Sequence, residues 1–199
     1  KETFFKNGFT FNKRTKRCIK AVLPVNVWGN ALRLDNLKFI CDKKNIKIIE
    51  DASEALGTFL KKRKRKIHVG LCGLACCLSF NANKIITSGC GGAIITNNKK
   101  IASKALFLTT QAKENSVEYI HSDVGYNYRL TNISAALGIS ELGQIKKRLL
   151  NKKKLHETYK KKISIIKGLE VAKTPNYASN NHWINLLILD KKYHLTEIA

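Results

Sequence analysis

Short apolar runs in this chain alternate with stretches whose apolar residues recur every three or four positions. That alternation of two periods predicts an α/β chain. A run over 19–25, broken by Pro24 near its end, predicts a buried strand. Leu32, Leu34, Leu37, Ile40 and Cys41 then predict an amphipathic helix over 31–44, with Asp35 and Lys38 on its wet side and Asn45 as the residue that ends it. Residues 46–50 predict a second strand, ending at Asp51. Strand, helix and strand in about thirty residues form a βαβ unit, which implies a parallel sheet with a right-handed crossover. The basic stretch 61–66 reads as a loop, and 67–77 carries weak strand signals. Apolar runs at 76–78 and 93–96 flank hydroxyls, amides and glycines, which reads as strand, loop, glycine turn, strand. Ile101, Ala105 and Leu108 predict a helix over 98–108, and a long polar connection follows. A long helix capped by Thr131 or Asn132 then runs through Leu137 and Leu149 into Lys152, Lys153 and Lys154. Strands over 171–175 and 183–190 belong to a second, smaller unit. The expected division is 1–148 as a large domain and 149–199 as the start of a small α+β domain.

Composition narrows the class. A 44% hydrophobic content with two prolines and twelve glycines in 199 residues is that of a globular chain. There is no apolar run of ~18 residues to cross a membrane, and the first residues lack a signal-peptide core. The net charge of +23 invites a nucleic-acid reading, but the cations are dispersed, mostly lysine, and without interleaved aromatics. Lysines on solvated faces explain them better, so no nucleic-acid partner is expected. The cluster at 61–66 could still meet an anionic partner. Six cysteines form no C-x-x-C pair and lie largely in apolar runs, which argues against a metal site or a disulfide framework and for a cytoplasmic chain. His68, His121, His156 and His194 show no ligand spacing.

Lys84 stands alone between two predicted core strands, whereas most lysines here fall in exposed runs. Strand ends are where open α/β sheets hold ligands, and an amine partly withdrawn from water there is a nucleophile as well as a cation. Lys84 is read as a Schiff-base lysine; a solvated lysine on a β-hairpin is the alternative. Asp51, at the end of a parallel strand, either caps the next helix or faces a ligand. Ser79 precedes Lys84, and Asn127 and Arg129 precede the long helix. A lysine, a carboxylate and a phosphate clamp of hydroxyl, amide and guanidinium are what pyridoxal phosphate requires.

Three stretches then converge. Ile49 to Thr58, Ser79 to Gly92 and Gly125 to Ile133, in that order, resemble the DegT/DnrJ/EryC1/StrS aminotransferases. The resemblance implies a fold-type I pyridoxal-phosphate enzyme, a mostly parallel sheet flanked by helices, that aminates nucleotide-linked keto-sugars. Residues 24–30, 109–113 and 181–183 look most like the branch making 4-amino-4,6-dideoxy-N-acetylhexosamines, which includes the legionaminic acid and bacillosamine pathways. By this resemblance Lys84 carries the cofactor and shuttles the proton. Asp51 pairs with the pyridine nitrogen, Glu54 contacts the ring, and Ser79 binds the phosphate. Asn127 and Arg129 reach the phosphate region of a neighbouring subunit, making the unit a homodimer. Glutamate is the usual amino donor. His182 and Trp183, at the start of a strand, could line the sugar pocket; packing is the other reading of Trp183. An upstream Gly-Thr turn that cradles the phosphate is not found before Lys1, and the small domain is expected to be cut short, so a fragment that does not turn over alone is expected. Cys90, where relatives often have glycine, is expected either to stiffen its turn or to need a strained backbone angle that cysteine tolerates poorly. A non-catalytic relative and a GDP-perosamine-type aminotransferase are the alternatives.

Overall fold

The computed structural model describes residues 2–62, 65–115 and 117–190. The chain opens with a hairpin outside the expectations above, β1 (Thr3–Lys6) and β2 (Phe9–Asn12), joined by Asn7 and Gly8, both left-handed (φ 50° and 79°). The run over 19–25 yields only a short regular strand, β3 (Ala21–Val22), after which Val25 bridges Asp51. Helix α1 (Leu34–Lys43) buries Leu34 and Cys41. Its predicted apolar face is not wholly covered, for Ile40 remains 55% exposed. Asn45 ends it in the left-handed region (φ 49°), as its position predicts. Strand β4 (Lys47–Asp51) pairs in parallel with β3, completing the βαβ unit.

The stretch 61–66 is not a simple loop. It lies across a hairpin of β5 (Phe59–Lys62) and β6 (Arg65–His68), with Lys61 opposite Lys66; Arg63 and Lys64 lie outside the described residues. The apolar flanks explain the pairing: Leu60 is buried opposite Ile67, and the Phe59 and His68 rings meet edge to face. Strands β7 (Ala75–Ser79) and β8 (Gly92–Ile95) follow, and the central sheet has the order β3-β4-β7-β8, parallel except for antiparallel β8. Its core gathers Ala31, Ala52, Ala55, Leu60, Val69, Cys76, Leu78 and Ala178.

Helix α2 (Lys99–Thr109) is capped by the Asn98 side chain, which accepts the Ile101 N–H. Thr131 caps α3 (Asn132–Gly143) through the Ser134 N–H. The single long helix expected here is two: at Gln144 the backbone leaves helical geometry (φ −97°, ψ 0°), and α4 (Ile145–Ile163) begins anew. Gly143, whose low helix propensity permits the break, is the sequence signal. The 148/149 division therefore falls inside α4. Beyond it, β9 (Leu169–Val171) pairs with β11 (Leu187–Leu189), while β10 (Ala178–Ser179) returns to pair with β5. The strand predicted over 183–190 is confined to β11, because the side chains and backbone at 180–185 are committed to the contacts described next. His194 lies outside the described residues.

Candidate active site

Lys84 sits on a turn whose shape is set by its own backbone. Ser88 N–H donates to Phe80 O (3.0 Å), Lys84 N–H to Asn81 O (3.0 Å) and Phe80 N–H to Gly91 O (2.9 Å). Buried Ile85 and Ile86 pack with Trp183 and anchor the turn. The strain expected at Cys90 does not arise, because its neighbours Gly89 and Gly91 take the left-handed steps (φ 84° and 86°). The turn holds the Lys84 side chain at 14% exposure, with Nζ 3.8 Å from Glu54 Oε1 and 4.0 Å from the centre of the Trp183 ring. A cation so placed loses water on one side and meets a carboxylate and an indole face in exchange.

The carboxylates come from the turn after β4. Glu54 Oε2 accepts the Trp28 N–H (2.5 Å), which fixes the acid beside Lys84. Asp51 ends β4 at the carboxyl edge of the parallel strands, where its Oδ1 accepts the Ser53 N–H (3.0 Å) and so shapes a turn; no helix follows for it to cap. Buried Asn26 fixes the Asp51 backbone, donating its N–H to Asp51 O (2.9 Å) while Oδ1 takes the Leu32 N–H. Ser79 ends the neighbouring strand, and its hydroxyl accepts the Asn81 N–H (3.3 Å). Ser53, Glu54, Ser79, Lys84 and Trp183 line one narrow cleft. The residues thus suit a small phosphorylated aldehyde: an amine withdrawn from water, a strand-end carboxylate and a strand-end hydroxyl. The cleft is too tight to admit a water molecule, because Lys84 lies folded onto Trp183 and Glu54.

Asn127 and Arg129 do not reach this cleft. They lie exposed on a segment crossing the end of α2, where Asn127 bridges Thr110 and Tyr126 N–H donates to Leu108 O. Nor is His182 in the cleft lining. It turns toward α4 and stacks on His156 (centroids 4.0 Å apart), and burial, with the charges of His156 and Lys153 adding to it, pushes its pKa down to about 4. Trp183 is both packed (9% exposed) and at the lysine, its indole N–H donating to Asn83 O (2.6 Å).

Two buried residues outside the expected set hold the site. Asn181 Nδ2 donates to Glu54 O (2.8 Å) and Leu56 O (3.0 Å), and its Oδ1 accepts the Trp183 N–H (3.0 Å). Glu50 is fully buried and accepts the N–H groups of Gly70, Cys72 and Gly73, each at 2.8 Å. It ties the end of β4 to the approach to β7, and burial with the Glu50 carboxylate nearby pushes the Cys76 thiol up to about 11. A carboxylate directly after the apolar pair Ile48–Ile49 is the sequence signal for Glu50; Asn181 has none.

Known proteins match this chain along most of its length. A profile of the DegT/DnrJ/EryC1/StrS aminotransferase family matches residues 10–198. EpsN of Bacillus subtilis is 37% identical over 180 residues, covering 89% of this chain and 45% of that protein. GDP-perosamine synthase of Vibrio cholerae is 34% identical, covering 92% and 48%, and a UDP-4-amino-4,6-dideoxy-N-acetyl-beta-L-altrosamine transaminase of Campylobacter jejuni is 31% identical, covering 88% and 46%. Among solved structures, Helicobacter pylori PseC, an aminotransferase involved in the biosynthesis of pseudoaminic acid, superposes with a TM-score of 0.77 at 24% identity over 87% of this chain and 45% of its own. The chain spans about half the length of the relatives it matches. With a match along nearly its whole length and the same fold, this chain belongs to the DegT/DnrJ/EryC1/StrS aminotransferase family.

Proposed function

We propose that the protein containing this chain is a pyridoxal-phosphate-dependent transaminase acting on a nucleotide-linked 4-keto-6-deoxy sugar, with glutamate as amino donor, in the cytoplasmic synthesis of a surface glycan. The observation that carries the reading is the placement of Lys84: 14% exposed, beside Glu54 and under Trp183, at the carboxyl edge of the parallel strands that also end in Asp51 and Ser79. Pyridoxal phosphate, when bound, supplies the electron sink that lets a carbon beside the transferred nitrogen give up a proton. Lys84 would hold the cofactor and move that proton; Asp51 would pair with the ring nitrogen, Ser79 would take the phosphate and Glu54 would face the ring. Glu54 also orients the Lys84 amine, while Trp183 keeps water from one side of it.

A homodimer is part of the proposal. α3 buries none of its residues and carries exposed Ile133 (84%) and Ile139 (73%), and exposed Tyr128 (72%) stands between Asn127 and Arg129 in the segment before it. Exposed apolar side chains of that kind suit cover by a second copy, whose phosphate region Asn127 and Arg129 would then reach. The resemblance of residues 24–30, 109–113 and 181–183 supports a UDP-linked N-acetylhexosamine as substrate. The Vibrio cholerae relative supports a GDP-linked sugar as the second reading.

The test is an absorbance spectrum with added pyridoxal phosphate, before and after borohydride, with mass mapping. Cofactor fixed on Lys84, and lost in Lys84→Arg, is the expected result. Failure to fix it in the whole protein would overturn the reading. Assays with the two keto-sugars then separate the substrate classes.

A further inference from the structure

We infer that α4 positions Trp183 against Lys84 by gripping the segment 182–185, which makes Lys152, His156 and His182 positioning residues for the chemistry of that amine. The inference rests on Lys84 being the reacting group. Lys152 and His156 are four apart and therefore share one face of α4. Lys152 Nζ donates to Trp183 O (3.1 Å). The His156 ring, 8% exposed, stacks on His182 with 26° between planes, and its Nδ1 lies 2.7 Å from Asn185 Oδ1. One turn of helix thus holds residues 182, 183 and 185.

His182 is held in an uncommon conformation to make this contact. Its φ of 52° lies in the left-handed region that β-carbon-bearing residues avoid, and its N–H is taken by Asn180 Oδ1 at 2.7 Å. Such a backbone persists only where its surroundings hold it. The far end of the indole is fixed too, since Nε1–H donates to Asn83 O, next to Lys84. The ring is therefore suspended between α4 and the lysine's own turn. Movement of α4 against that turn either slides the indole off the amine or breaks one of these bonds. α4 also packs on β9, so the grip carries the placement of the smaller unit to the lysine. The same indole lines the narrow cleft that holds Lys84, and loosening the grip uncovers the amine.

The experiment reads Lys84 directly. The whole protein, without cofactor, is treated with a limiting acylating reagent at fixed pH, and modification of Lys84 is measured by mass mapping as a ratio to exposed Lys99 of α2. His156→Ala and His182→Ala should raise the ratio about three- to tenfold, the scale of a lost cation–π cover. His182→Phe keeps a ring for the stack and should stay within about twofold of the parent. An unchanged ratio in folded alanine variants, or an equal rise in His182→Phe, would overturn the grip. Should an alanine variant fail to fold, Lys152→Met keeps the aliphatic stem and removes the ammonium that bonds the Trp183 carbonyl. A ratio raised at least about twofold then supports the inference, and an unchanged one overturns it. A ratio that responds while borohydride fixes no cofactor on Lys84 would keep the grip and remove the transaminase reading.

Discussion

Glu50 offers the sharpest test of how the site is held. It is fully buried, and three backbone N–H groups point at its carboxylate, Gly70 at Oε2 and Cys72 with Gly73 at Oε1, all at 2.8 Å. Glu50→Ala leaves three donors without an acceptor. Hydrogen bonds to a charged group contribute about 1.5–3 kcal/mol each, and an orphaned buried donor costs about 1–3 kcal/mol. The Gly70 bond is the buried one, while those of Cys72 and Gly73 are partly open to water and can be recovered in part. The expected loss is therefore about 3–5 kcal/mol, including the cavity left behind. Glu50→Gln keeps one oxygen for Cys72 and Gly73 but turns an amide donor toward the Gly70 N–H, so its loss is about 1.5–3 kcal/mol. Urea denaturation followed by circular dichroism measures both; with a slope of ~2 kcal/mol/M, the alanine midpoint falls by about 2 M. Cys76, whose thiol burial and the Glu50 carboxylate hold near 11, should react faster with a thiol reagent in both variants. Losses under about 1 kcal/mol, or a glutamine variant weaker than alanine, would refute the reasoning.

Other outcomes follow from the same geometry. Asn181→Asp is nearly isosteric but replaces a donor to Glu54 O and Leu56 O with a carboxylate. It should lose about 3–5 kcal/mol at pH 7 by denaturation, less at acidic pH where the new carboxyl can donate one bond, and a pH-independent loss would speak against the clamp. Gly125→Ala would put a methyl 2.1 Å from the Gln111 carbonyl carbon, so it should lose at least about 2 kcal/mol, whereas Gly143→Ala meets nothing within 4 Å and should be neutral or slightly stabilising. His182 faces His156, Lys153 and Glu157, and folding lowers its pKa from 6.5 to about 4, chiefly by burial. The unfolded chain then binds more protons in that window, so stability is full above pH 6.5 and falls as pH drops toward 4. The part due to this ring, about 1–2 kcal/mol after discounting for solvent, should vanish in His182→Gln when thermal melts at pH 7 and pH 5 are compared.

What was legible in the sequence was mostly local. The three-and-four spacing of α1, its Asn45 terminus, the strand ending at Asp51 and the Thr131 cap all follow from side chains within a turn or two of the feature they set. The first hairpin carries its signal as well, in Asn7–Gly8 between aromatic strands. The basic hairpin of β5 and β6 was obscured because charge pattern says nothing about pairing, and its register is set by Leu60 and Ile67 at its base. The break at Gln144 was missed because the apolar period continues across it, although Gly143 marks the place. Of the expected site residues, Glu54, Ser79, Lys84 and Trp183 come together in one cleft with Asp51 on the adjoining strand end, whereas His182 is drawn away by a ring on α4 that no local pattern predicts.

The residues that hold Lys84 are distant in sequence, and that explains why the lysine could be singled out while its supports could not. Three segments meet there: the turn 51–58, the turn 80–88 and the loop 180–185. Asn181 joins the third to the first, and the Trp183 indole joins it to the second. Thr58 reinforces the closure, its Oγ1 donating to Gly29 O while accepting the Asn181 N–H. Gly29 has no room for a β-carbon, which would stand 2.1 Å from Asn181 Oδ1. Each bond satisfies a buried polar group that would otherwise weaken the core, so the same interactions that stabilise the loop also fix the amine's surroundings. The loop is pinned at one end by β10 on β5 and at the other by α4. A change in either anchor therefore reaches Lys84 without touching it, and stability and amine reactivity should vary together across variants of this loop.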